Sequence, residues 1–128
     1  MVFFDDLETR SGDERAAELA DILPSQIARA KALGGYKTTL ADITARDITS
    51  ATALAQLPVL RKSVLSQAQG SASPLGGFTT RNVTGFGHIF QSPGPIHEPG
   101  GIGTDWWRMG RFVHACGIGS GDNVLNCV

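Results

Sequence analysis

Cysteine is scarce: the 128 residues hold only Cys116 and Cys127. Two thiols make no disulfide framework, and the start, Met1-Val2-Phe3-Phe4-Asp5-Asp6, has no basic lead and turns acidic at once, unlike a signal peptide. A reducing cytoplasm is therefore the expected location. Basic charge is not in excess either. Eleven Lys and Arg stand against twelve Asp and Glu, a net charge of -1, which excludes the electrostatic footprint of a generic nucleic-acid binder. No run approaches the roughly 18 to 20 apolar residues that span a membrane. Motifs of catalysis are missing as well. His88, His97, His114, Cys116 and Cys127 form no Cys-x-x-Cys or His-x-x-x-His pair, so no metal site is expected. Gly-x-Ser-x-Gly, the Gly-x-x-x-x-Gly-Lys-Ser/Thr phosphate loop and the Gly-x-Gly-x-x-Gly fingerprint are all absent.

What the chain does have is enough apolar residue to fold and an uneven distribution of glycine. Leu, Ile, Val and Phe make up 32 of the 128 residues, above the roughly one-fifth level that marks disorder. Thirteen of the sixteen glycines lie from Gly70 to Gly121. The first half thus reads as helix and the second as short elements joined by glycine turns. Ser11-Gly12-Asp13-Glu14 is a capping box that opens a helix. Leu19, Leu23, Ile27 and Ala30 follow at helical spacing, and Gly34-Gly35 is the stop signal. Pro24 lies inside and is expected to bend or divide this helix. Tyr36 to Leu40 can add a short turn. Ser50 caps a helix over 51–56, Leu57-Pro58 ends it, and another helix is expected over 62–69. Acids dominate residues 1–23 and bases residues 24–62, in keeping with solvated helix faces. Gly70-Ser71-Ala72-Ser73-Pro74-Leu75-Gly76-Gly77 reads as a loop and a boundary. The expected division is a helical region, 1–77, and an α/β region, 78–128.

From Gly87 the pattern reads strand, glycine loop, helix, turn, strand, which predicts a βαβ unit. The strand is His88-Ile89-Phe90-Gln91, the loop spans residues 92–101, and Thr104 caps a helix that Gly117 ends. Residues 123–128 form the second strand of this expectation. A glycine turn between strand and helix can aim amides at an anion, and Ser92 adds a hydroxyl. Pro93, Pro95 and Pro99 remove three donors, and the loop has no lysine. On these residues alone the signal is weak, and a plain surface loop is the favoured reading. Trp106-Trp107 reads as core plus interface, and Arg108 and Arg111 as a solvated face from which one guanidinium can reach a phosphate.

The order of these features resembles the N-terminal part of the phenylacetate-coenzyme A ligase family, a branch of the adenylate-forming (AMP-dependent) synthetases. The resemblance runs through Phe4-Asp5-Asp6-Leu7-Glu8-Thr9, the helix ending near Tyr36, Leu57-Pro58-Val59-Leu60-Arg61-Lys62, the strand and loop, and Gly117-Ile118-Gly119-Ser120-Gly121-Asp122-Asn123-Val124. It implies an ATP-dependent ligase that makes an acyl-adenylate from an aryl carboxylate and then a coenzyme A thioester, with magnesium accompanying ATP. It also suggests dimerisation. The implied fold is a helical N-terminal segment followed by the first βαβ unit of an adenylate-forming core.

Relatives carry Ser-Ser-Gly-Thr-Thr-Gly-Lys-Pro in the loop that embraces the nucleotide phosphates. Here Gln91-Ser92-Pro93-Gly94-Pro95-Ile96-His97-Glu98-Pro99 takes its place, so the resemblance implies Ser92, Gly94 and His97 as nucleotide-binding residues. The Thr-Thr pair and the lysine are missing, and Glu98 puts a carboxylate near the phosphate. Either the loop is a rigid variant, or nucleotide binding is altered. Family members are several-fold longer, which makes this chain an expected N-terminal fragment, inactive alone. The alternative is a non-catalytic binding or assembly module whose substituted loop no longer holds phosphate.

Overall fold

The computed structural model describes residues 2–125 and 127. Helix α1, Gly12–Lys31, begins on the capping box: the Ser11 hydroxyl accepts from the Glu14 amide, and the Glu14 carboxylate accepts from the Ser11 amide at 2.7 Å. That amide, together with the hydroxyl, holds the Glu14 carboxyl below its ordinary value. Pro24 does not divide the helix. Ser25 donates its hydroxyl to the Ile22 carbonyl, giving that part of the ladder a side-chain donor. Leu23 and Ile27, one turn apart, are buried on a single face. Against α1 packs a single-turn helix, Ala45–Asp47, and Leu40 and Ile48 complete this core. The Lys31 ammonium binds the Ala41 and Ile43 carbonyls, fastening the turn region to the end of α1.

Two short helices follow. In α2, Ala51–Leu54, the Ser50 hydroxyl accepts from the Ala53 amide as expected of a cap, though the helix is shorter than its sequence signal. Helix α3, Lys62–Ala68, ends one residue before its expected limit. Residues 70–77 turn back toward α1, where the Gly35 amide donates to the Gly77 carbonyl at 3.0 Å and Tyr36 meets Phe78 edge to face at 5.1 Å. Gly35 is required there, since a Cβ would lie 2.5 Å from the Phe78 ring.

The second half is mixed helix and a small sheet, but its strands are not parallel. Strand β1, His88–Ser92, pairs antiparallel with β2, Ile96–Gly100, in a register that sets Ser92 against Ile96, Gln91 against His97 and Phe90 against Glu98. The expected βαβ crossover is replaced by a hairpin. Residues expected to be loop become a three-residue turn, Pro93-Gly94-Pro95, plus a strand. Gly94 takes φ +148°, and a Cβ there would meet the Ile96 side chain at 3.0 Å. Pro99 falls within β2, a position sheets accept on edge strands.

The helix expected from Thr104 also starts later: α4 is Gly110–Ala115. Asp105 and Arg108 adopt left-handed backbone, φ +50° and +56°, and the Arg108 amide donates to the Asp105 carbonyl at 2.7 Å. The turn so formed delays the helix, and Asp105 Oδ1 then accepts from the Gly110 amide. Gly117, at φ +84°, ends α4 as expected. Its amide donates to the His114 carbonyl and that of Ile118 to the Val113 carbonyl, the paired bonds of a Schellman stop. Of the second strand expected over 123–128, residues 123–125 and 127 are not in a strand, and 126 and 128 lie outside the described residues. No helix among the described residues is long and apolar enough to cross a membrane.

Candidate functional site

The hairpin that carries Ser92, Gly94 and His97 is held from one side by Gln69, just beyond α3. The Gln69 side-chain amide donates to the His97 carbonyl and its oxygen accepts from the His97 amide, both at 2.8 Å. A glutamine thus completes one position of β2 as a neighbouring strand would. Lys62, at the start of α3, lies 3.8 Å from the Glu98 carboxylate. The hairpin's acidic residue thus meets a cation brought from another element.

The three expected site residues divide between two open clefts. Gly94 and His97 share one of about 550 Å³ with Ser66, Gln69, Gly70 and Pro74. Ser92 lines another of about 370 Å³ with Phe90, Gln91, Glu98, Trp106 and Trp107. The cause is the two-residue period of a strand pair: Ser92 lies opposite Ile96, while His97 pairs one step on and belongs to the other face. The turn brings the three close along the chain, yet the ribbon sends Ser92 and His97 to different sides.

Ser92 has a further property. Its hydroxyl is buried and has no hydrogen-bond partner, alone in this among the side-chain polar atoms of the described residues. Leaving such a group unmade costs about 1–3 kcal/mol. Beside it lie rings that composition assigned to core or interface. Phe90 stacks on Trp106 at 6.1 Å and on Trp107 at 5.6 Å, and the two tryptophans meet at 5.0 Å. His88 stacks on Phe90 from two residues earlier in β1. Gly100 lets this cluster close on the hairpin, because a Cβ there would lie 2.9 Å from Trp106 and 3.0 Å from Phe90. Trp107 nevertheless stays 64% exposed. In the sequence Lys62 figures only as the end of the Leu57–Lys62 stretch and the start of a helix, and Gln69 only as that helix's end, neither in contact with the hairpin. Neither has a local signal, since each acts on a strand about thirty residues away.

The residues present fit a phosphate in part. An unpartnered hydroxyl and a glycine turn suit an anion, and Glu98 opposes one unless Lys62 neutralises it. Among the described residues no three His, Cys, Asp or Glu side chains are grouped to hold a metal ion. Comparison with protein-family models, curated proteins and solved structures finds no match.

Proposed function

We propose that this chain is the N-terminal part of an ATP-dependent aryl-acid coenzyme A ligase of the phenylacetate type, acting through an acyl-adenylate, with the turn after β1 as its phosphate-holding loop. The observation that carries this is the orphaned, buried hydroxyl of Ser92, the residue that leads into that turn. A buried hydroxyl without a partner is a donor in want of an acceptor, and a phosphate oxygen is a strong one. ATP, when bound, supplies the α-phosphorus that the aryl carboxylate attacks. The chain's own share is positioning: Ser92 donates to a phosphate oxygen, and Gly94 lets the backbone approach closely. Lys62 offsets Glu98, and Gln69 fixes β2 so that the turn is held in one shape. The ordered resemblance from Phe4 to Val124 supports the same reading.

A second reading, a non-catalytic binding or assembly module, draws on exposed apolar surface, since Trp107 beside the hairpin and Phe112 in α4 are each more than half exposed. The two part on one experiment. ATP–pyrophosphate exchange with phenylacetate, measured on the complete gene product, should be detectable and fall about tenfold in Ser92→Ala, the worth of one charge-assisted hydrogen bond. Unchanged exchange after deletion of Ser92, Pro93 and Gly94 would refute the phosphate role. No exchange at all in the folded wild type favours the assembly module.

A further inference from the structure

A third cleft, of about 500 Å³, opens between the N-terminal segment, the first turns of α1 and the turn before α4. Four arginines, Arg10, Arg15, Arg108 and Arg111, are among its lining residues, with the acids Asp5, Glu18 and Asp105. All three carboxylates are engaged. Asp5 takes a two-pronged bond from Arg111, Nε to Oδ1 at 3.0 Å and Nη2 to Oδ2 at 2.8 Å. Glu18 pairs with Arg10, and Asp105 accepts from the Gly110 amide. Among the described residues Arg15 and Arg108 have no ion pair.

Each of these two cations carries a local cost. Arg15 lies in the first turn of α1, near the positive end of the helix dipole, where Asp13 and Glu14 offset part of that cost. Arg108 holds left-handed backbone at φ +56°, a conformation that costs an L-residue with a long side chain about 1–3 kcal/mol. Two locally unfavourable arginines that converge on one cleft are explained by a ligand that uses both. A guanidinium is always charged, and its planar fork matches the oxygens of a phosphate. We propose that this cleft binds a phosphate group, either free phosphate or the phosphomonoester of a larger molecule. The site is independent of the Ser92 hairpin: the turn 104–108 sends Trp106 to the aromatic cleft and Asp105 and Arg108 to this one.

The test is calorimetric titration of the full chain at constant ionic strength with inorganic phosphate and, separately, with AMP. Saturable one-site binding of either is expected, weakened about tenfold or more in Arg15→Gln/Arg108→Gln and unchanged in Ser92→Ala. Tighter binding of AMP than of phosphate assigns the site to a phosphomonoester, and equal binding to the phosphate alone; both support the site. Arg108→Gly serves as a second variant, since it relieves the left-handed backbone and should melt no lower than wild type while binding more weakly. Absence of saturable binding overturns the proposal. So does an affinity that survives in both arginine variants, or one that Ser92→Ala abolishes, which would place the phosphate at the hairpin.

Discussion

Ser92 concentrates the functional question in one hydroxyl. A side chain selected only for packing would not leave a buried oxygen without a partner at the end of a strand. In the ligand-free protein, Ser92→Ala removes a desolvated group that makes no bond, so stability should hold or rise by up to about 1 kcal/mol. Chemical denaturation of the two proteins measures this, and a loss of similar size would mean the hydroxyl has a partner within the fold. Glycine is the other single-residue determinant. At Gly35 and Gly100 the missing Cβ admits an aromatic ring from another part of the chain. Composition alone shows the glycines but not the rings they admit.

At the level of elements, the sequence is informative where structure is decided locally. The capping box of α1, the Ser50 cap and the Gly117 stop are all set by residues within a few positions of each other and occur as expected, and α3 differs from its expected span by one residue. The hairpin was missed because its second strand, Ile-His-Glu-Pro-Gly, has a proline and little β-branching and is stabilised from outside. Its pairing with β1 and the Gln69 clamp are both tertiary. The late start of α4 was missed for a similar reason: Asp105 and Arg108 take left-handed backbone that neither residue type announces. The candidate residues Ser92, Gly94 and His97 were visible as a loop, whereas their division between two faces depends on the register. Gln69→Ala should strip two backbone groups of β2 of their partners, costing about 1–3 kcal/mol and speeding amide exchange across β2 before the rest of the fold. Uniform exchange rates across the chain would deny Gln69 that role.

Across the whole molecule, a few side-chain bonds join the two ends of the chain. Asp5 and Arg111 bridge positions 106 residues apart, and the His114 ring bonds the Val2 carbonyl at 2.7 Å. The Arg111 guanidinium holds the Asp5 carboxyl below its ordinary value, and Asp5 in turn raises Arg111. A carboxyl depressed in the folded state contributes stability above its unfolded value, and that contribution is lost as pH falls through the folded one. Arg111→Gln should therefore melt below wild type at about pH 7, with the gap closing as pH drops from about 4 toward 2. A gap that is the same at both ends would remove Asp5 from the linkage. Elsewhere the molecule is thinly covered: among the described residues the buried hydrophobics are Leu23, Ile27, Leu40, Ile48, Leu75 and Ile96, while Ile102, Trp107 and Phe112 are largely exposed. Such surface suits a unit that packs against further polypeptide, as the ligase proposal requires. The proposal that the turn after β1 holds phosphate is tested most directly by amide hydrogen exchange in the complete gene product, with and without saturating MgATP. Pro93 and Pro95 leave Ser92, Gly94 and Ile96 as the amides of the turn. Slower exchange at these three with MgATP, lost in Ser92→Ala, is the expected result; exchange unchanged there while MgATP protects other segments would contradict it.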